Sequence, residues 1–304
     1  MDWIEKKIDA LERDRSHGAA QLAGSAVKTL MEVCKRYRGK DVGQLATAVR
    51  KTALALAKVR PSMAPIRNWS LVFCHRFQER INDCSSFSEG QQRGILLGEE
   101  LLAQQQRFVE LQVKAARAIL KNCKSLVTLS YSSTVESILR YGLPSSCRIV
   151  IAESRPLMEG RRLFKNLEDI FPDLRMITDA QMGLAIPNAD LVLVGADTIL
   201  ADLGVVNKTG TYLSALVSHT HGRDFFVAAD TYKMNVAVDS RNCVLESKSG
   251  SELWPQREKH CDNVYFDITP AQFISGFITE KGILDVAGMK PHVQKWKELY
   301  QELA

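Results

Sequence analysis

The chain has no Gly-x-Gly-x-x-Gly after its first β run and no Gly-x-x-x-x-Gly-Lys-Ser/Thr. Dinucleotide binding and P-loop nucleotide binding are therefore disfavoured, and a plain Rossmann oxidoreductase falls with the first pattern. Seven cysteines, at 34, 74, 84, 123, 147, 243 and 261, form no Cys-x-x-Cys pair and leave one over if the others were bridged, which suits a reducing cytosol. No window approaches the roughly 18 consecutive apolar residues of a membrane span, and residues 1–7 lack the apolar core of a secretory signal. Basic runs such as Arg161-Arg162 stop at two residues, so a net charge of +5 is no nucleic-acid footprint. His219 and His221 have no Cys or carboxylate partner at ligand spacing, so no metal and no other cofactor is expected. Internal repeats, low-complexity tracts and long linkers are missing as well.

What is present is a 304-residue chain, 45% apolar, long enough for two domains with a sizeable core. Up to about residue 120 it reads as helices. Residues 25–33, 44–56 and 99–120 place apolar residues three and four apart or are rich in good helix formers. Arg60-Pro61-Ser62-Met63-Ala64-Pro65 breaks that pattern, because proline cannot donate to a helix ladder and pushes its predecessor toward extended geometry. Beyond residue 124 short β runs at 126–129, 148–151, 175–177, 191–194 and 225–227 alternate with helix-like segments. Alternation of this kind implies parallel crossovers. The expected fold is α/β: a helical amino-terminal domain over residues 1–122, then a Rossmann-like, doubly wound parallel-sheet domain over 123–304.

The five β runs end in polar or small clusters, which parallel strands deliver to one sheet edge, where open α/β proteins bind ligands. Leu191-Val192-Leu193-Val194 reads as a strand buried on both faces, Gly195 turns the backbone, and Asp197 reaches the rim. Asn207 and Lys208 lie just before the next helix-like segment, where amides and a cation suit an anion. Turn capping by Asp197 and a solvated Lys208 are the plain alternative. Ser130, Ser132, Ser133 and Thr134 precede another helix-like segment and offer a cap with free amides, although such chemistry is common in caps alone. Arg155, Arg161 and Arg162 supply guanidinium groups suited to phosphate, with surface pairing as their ordinary use. Lys233 is a further rim cation or a solvated lysine. Cys74 reads as a packing group.

These residues resemble the alpha, beta and delta subunits of eukaryotic initiation factor 2B together with the methylthioribose-1-phosphate and ribose-1,5-bisphosphate isomerases. The resemblance rests on Glu153-Ser154-Arg155-Pro156-x-x-x-Gly160-Arg161, Val194-Gly195-Ala196-Asp197, Asn207-Lys208-x-Gly210-Thr211-Tyr212, Ala229-x-Thr231-Tyr232-Lys233 and Phe266-Asp267-x-Thr269-Pro270. His17-Gly18-Ala19 and Arg60-Pro61-Ser62 carry it, more thinly, into the amino-terminal half. It implies a helical domain on a Rossmann-like domain, dimerised through the latter. It also implies that Asp197 is a proton donor, that Asn207 and Lys208 bind a sugar phosphate, and that Arg60 and Lys233 face the ligand. With C1 phosphorylated there is no free aldehyde, so an acid must protonate the ring oxygen, which a buried carboxyl with a raised pKa can do.

Two positions depart from the family pattern. Thr128-Leu129-Ser130 stands where the isomerases carry Thr-His-Cys, and a serine is a poor proton acceptor without a neighbouring base. His17 stands where arginine is expected, which weakens one anion contact unless the imidazole is protonated. The resulting expectation is a cytoplasmic, homodimeric or larger homo-oligomeric protein that binds a phosphorylated pentose, with no membrane or direct nucleic-acid partner. It would act as an aldose-ketose isomerase through Asp197 and Ser130, with His17, Gly18, Ala19, Arg60, Ser132, Ser133, Arg155, Asn207, Lys208 and Lys233 contacting substrate. The alternative is a non-catalytic subunit resembling the alpha subunit of initiation factor 2B, regulatory in translation initiation.

Overall fold

The computed structural model describes residues 2–14 and 17–303, so Met1 of the amino-terminal stretch lies outside the described residues. The chain divides into two compact units, one running up to Arg107 and resuming at Glu298, the other Phe108–Lys297. The change of texture near residue 123 marks the first strand, whereas the boundary between units falls inside a helix.

The first unit is helical: α1 (Asp2–Arg13), α2 (Ala19–Arg36), α3 (Val42–Leu56), α4 (Ala64–Ile81) and the start of α5 (Phe87–Leu120). Asp41 starts α3 by accepting the Gln44 amide at 2.8 Å. The proline-rich break falls between α3 and α4, and Pro65 then sits in the first turn of α4, where its missing N–H is no loss. Leu22, Val27, Leu30 and Val33 of α2 and Phe73 and Phe77 of α4 are buried, and the two helices pack against each other.

The second unit carries β1 (Ser125–Leu129), α6 (Ser133–Gly142), β2 (Arg148–Ala152), α7 (Gly160–Leu167), β3 (Leu174–Ile177), α8 (Met182–Ala185) and β4 (Leu191–Val194). Then come β5 (Thr198–Leu200), β6 (Val205–Lys208), α9 (Thr211–Thr220), β7 (Asp224–Ala228), β8 (Met234–Asn235), β9 (Phe266–Thr269), β10 (Gly276–Thr279), β11 (Gly282–Leu284) and α10 (Val286–Leu303). Among the described residues the main sheet has seven strands in the order β11-β10-β7-β4-β1-β2-β3. All neighbours pair in parallel except β10 with β11. From β1 the chain runs outward to β2 and β3, then returns to β4 and runs the other way to β7. Right-handed crossovers in opposite directions put helices on opposite faces, which makes the fold the doubly wound α/β type. The end of α5, α6 and α7 bury Val113, Ala116, Ile138, Leu139 and Leu163 against Ile149 and Ile151 of β2, while α9 packs on β4 and β7.

The direction reverses between β1 and β4, and a crevice opens beyond the carboxyl ends of strands at such a switch point. A second sheet, β8-β5-β6-β9, is mixed and was not legible in the sequence. Its β5–β6 hairpin springs from Asp197, whose amide donates to the Val206 carbonyl at 2.9 Å.

Candidate functional site

Three strand ends on one side of the switch point are tied together by polar side chains. Ser130, directly after β1, has φ 62° and donates its amide to Ser154 Oγ at 2.7 Å. Ser154, just beyond β2, has φ 65° and is itself buried. Its amide and that of Arg155 donate to the two carboxylate oxygens of Asp179, each at 2.8 Å, beyond β3. Left-handed backbone at a residue other than glycine is uncommon and costs about 1–3 kcal/mol, and the Ser154 and Asp179 hydrogen bonds are what hold the two turns in it.

Gly160 anchors the same turn, because a Cβ there would lie 2.0 Å from the Ala152 carbonyl oxygen. The Arg162 guanidinium lies 3.9 Å over the Tyr131 ring, flanking the Ser130 turn. Burial, with the Glu136 carboxylate, pushes the Tyr131 phenol up.

Across the switch point the groups of β4, β6 and the turn after β7 converge. Ser132 caps α6 by accepting the Val135 amide at 3.4 Å, and Ser133 opens the helix. A Cβ on Gly195 would meet Ser132 Oγ at 2.8 Å and would lie 4.0 Å from Asn207 Oδ1, so glycine is what lets the ends of β1, β4 and β6 approach. Asp197 stands half-buried two residues further on.

Asn207 and Lys208 are 7% and 4% exposed, so neither is a solvated loop residue. Asn207 donates to Thr211 Oγ1 at 2.9 Å. The Lys208 ammonium lies 3.1 Å from Glu159 Oε1 and 5.1 Å over the Tyr265 ring. Glu159 Oε2 is buried with no hydrogen-bond partner. Lys233, also buried, donates to the Ala196 carbonyl at 2.6 Å. Burial pushes the nearby Asp230 carboxyl up to about 6, with the Lys233 charge opposing and the Glu280 charge adding.

One expectation is corrected. The amino terminus of α9, next to Asn207 and Lys208, reads in the sequence as a place for an anionic ligand, yet a carboxylate of the chain already fills it. Asp267, opposite Asn207 in the β6–β9 register, accepts the Gly210 amide at 2.7 Å and the Tyr212 amide at 3.1 Å. The helix start is electrostatically satisfied from within. Burial nonetheless pushes Asp267 up to about 6 against those backbone donors.

Arg155 takes part through its backbone, and its residue is exposed. His17, Gly18, Ala19 and Arg60 belong to the helical unit, where Asp14 links His17 to Arg60. His17 Nδ1 lies 2.7 Å from Asp14 Oδ2, and an Arg60 guanidinium nitrogen donates to the Asp14 and Glu12 carbonyls at 2.6 and 3.0 Å. Gly18 caps α2 and Ala19 is buried as its first residue. Two functional candidates escaped sequence reading: Glu159, 49 residues from Lys208, and Glu280, 49 residues from its partner Thr231. Only the acidic residue inside the Arg155-to-Arg161 motif hinted at the first. Among the described residues no cluster of His, Cys, Asp and Glu has the makings of a metal site, and no helix is long and apolar enough to cross a membrane.

Comparison with known proteins agrees with this architecture. The chain is 31% identical over 289 residues to an eIF-2B subunit 2-like protein of Pyrococcus abyssi, covering 93% of this chain and 96% of the other. It is 30% identical over 306 aligned positions to the methylthioribose-1-phosphate isomerase of Desulfitobacterium hafniense strain Y51, covering 92% and 87%. The crystal structure of translation initiation factor eIF-2B from Pyrococcus horikoshii OT3 superimposes with a TM-score of 0.77 at 28% identity, covering 93% of this chain and 97% of that one. With residues 15–286 matched by the family's own sequence pattern, the chain belongs to the Initiation factor 2 subunit family.

Proposed function

We propose that the crevice at the β1–β4 switch point binds a ribose 1-phosphate, such as ribose 1,5-bisphosphate or methylthioribose 1-phosphate, and isomerises it to the ketose. The observation that carries this reading is the convergence there of the Ser130 turn, Gly195, Asn207 and the buried Lys233 ammonium. Lys233 presents three donors and bonds one protein acceptor, so its charge and remaining N–H groups suit a phosphate or sugar oxygen. Glu159 Oε2, buried and unpartnered, suits a sugar hydroxyl, since an unsatisfied buried acceptor costs about 1–3 kcal/mol that a bound donor would recover.

In this reading Asp197 gives its proton to the ring oxygen as the C1–O ring bond breaks. The C2 proton is taken on the Ser130 side to give the C1–C2 enol and is then delivered to C1, while the C2 hydroxyl gives its proton back to Asp197 as it becomes the carbonyl. Such acid–base help is worth about 10²–10⁴-fold. Incubation with either sugar phosphate and assay of the ketose tests it. Turnover lost in Asp197→Asn supports the reading, and its absence from the wild-type chain refutes it.

A second reading has its own observation: among the described residues the Ser130 hydroxyl has no imidazole or carboxylate bonded to it, so nothing raises its basicity. A non-catalytic, initiation-factor-like subunit that senses a sugar phosphate fits that. Its signature is stabilisation by ligand without turnover, about 2.7 kcal/mol at 100 times the dissociation constant, together with activity gained in Ser130→Cys.

Either way we propose a homodimer in the cytoplasm. Tyr212, Leu213 and Leu216 of α9 and Leu184 of α8 are exposed, and all seven cysteines are free thiols. Light scattering on Leu213→Glu/Leu216→Glu, expected to be monomeric, tests the pairing.

A further inference from the structure

The turn that carries Lys233 is held from three directions. Thr231, Tyr232 and Lys233 form one short helical turn directly after Asp230, closed by the Lys233 amide on the Asp230 carbonyl at 3.1 Å. The Tyr232 ring packs edge-on against Phe108 and Trp296, with centroids 5.4 and 5.1 Å away. Thr231 is gripped by Glu280: its amide donates to Oε2 at 3.0 Å and its hydroxyl to Oε1 at 2.7 Å.

Glu280 comes from the far end of β10, which pairs in parallel with β7 so that Ile278 lies opposite Ala228 and the two chain ends emerge side by side. The tight turn into β11 is itself fixed, Thr279 Oγ1 donating to the Gly282 carbonyl and accepting the Lys281 amide at 2.9 and 3.0 Å. Glu280 is 6% exposed, Thr231 6% and Lys233 3%, so this is a buried polar network and not a surface pair.

A buried carboxylate is costly unless its oxygens are bonded, and Glu280 spends both of its oxygens on Thr231, two residues before Lys233. Lys233 in turn reaches the carbonyl of Ala196, the residue before Asp197. We infer that Glu280 is a positioning residue: acting through Thr231, it fixes the turn that aims the Lys233 ammonium at the Ala196 carbonyl, and so sets where the cation stands beside Asp197. What the ammonium then binds rests on the sugar-phosphate reading; the positioning itself does not.

The substitutions separate geometry from charge. In Glu280→Gln the amide oxygen still accepts the Thr231 amide and the NH2 group can donate to the Thr231 hydroxyl, so both bonds survive while the charge goes. In Glu280→Ala both are lost. The first readout needs no ligand: competitive acetylation of the native chain at pH 8, with Lys233 followed by peptide mass spectrometry. Lys233 should be protected in the wild type and in Glu280→Gln, and acetylated several-fold faster in Glu280→Ala. The second is calorimetric titration with ribose 1,5-bisphosphate, where Glu280→Ala should weaken binding about tenfold, or about 1.4 kcal/mol, and Glu280→Gln should bind as the wild type does.

Should Glu280→Ala fail to fold by circular dichroism, Thr231→Val removes the hydroxyl bond alone and should give an intermediate rise in Lys233 reactivity, with Thr231→Ser restoring protection. The proposal is overturned if Lys233 reactivity is the same in all variants, or if Glu280→Gln behaves as Glu280→Ala. If the acetylation pattern holds and no sugar phosphate binds, the functional reading fails and the positioning role stands; binding without the acetylation pattern means the reverse.

Discussion

Replacing Asp267 with asparagine isolates the cost of filling a helix terminus with a buried charge. Burial raises the Asp267 carboxyl from its ordinary 3.8 to about 6, even though the Tyr212, Gly210 and Thr211 amides favour its ionised form. At about 1.4 kcal/mol per pH unit the difference is roughly 3 kcal/mol against the charge, which partial solvent exposure reduces to about 1–2 kcal/mol. A carboxyl whose folded value is raised contributes stability that is complete below its unfolded value and is lost as pH rises through about 6. Asparagine keeps an acceptor for the Gly210 amide and carries no charge. Urea unfolding should therefore show Asp267→Asn more stable than the wild type by about 1–2 kcal/mol at pH 8, with the two curves meeting near pH 4. Asp267→Ala should lose about 1 kcal/mol at pH 4, because the start of α9 is left uncapped, and should match the wild type to within about 1 kcal/mol at pH 8, where removing the buried charge offsets the lost bonds; inorganic phosphate should stabilise it more than it stabilises the wild type. A wild type more stable than Asp267→Asn at pH 8 would refute the reasoning, since the helix terminus would then favour the carboxylate more than burial opposes it.

Gly160→Ala should destabilise the second unit by about 1–3 kcal/mol or more, because its Cβ meets the Ala152 backbone 2.0 Å away and no side chain can yield. Gly142→Ala, with 3.6 Å to its nearest neighbour, should be neutral or slightly stabilising, and equal urea midpoints for the two variants would count against the close approach. Burial pushes the Cys34 thiol up to about 12, so iodoacetamide at pH 8 should spare Cys34 in the native chain and modify the half-buried Cys261; equal labelling rates would contradict the packed core.

The residue pattern alone determined the class of fold and the sheet edge at which the candidate residues gather. Leu191–Val194 and the runs at β1, β2 and β7 are apolar enough to be read as buried parallel strands, and parallel strands must end on one side. Asn207, Lys208 and Lys233 were legible because their motifs carry polar residues to that side. α4 was not legible, since it is buried on nearly every face and shows no apolar stripe. Nor was the second sheet, whose strands are two to four residues long and pair Val205 with Thr269 across 64 positions of chain.

Only the tertiary structure decided which charge meets which. Lys208 finds Glu159, α9 finds Asp267, and Thr231 finds Glu280 through register and packing between distant segments. Local sequence preferences act over a few residues, whereas the partner of a buried charge is chosen by whatever the fold places within about 3 Å of it.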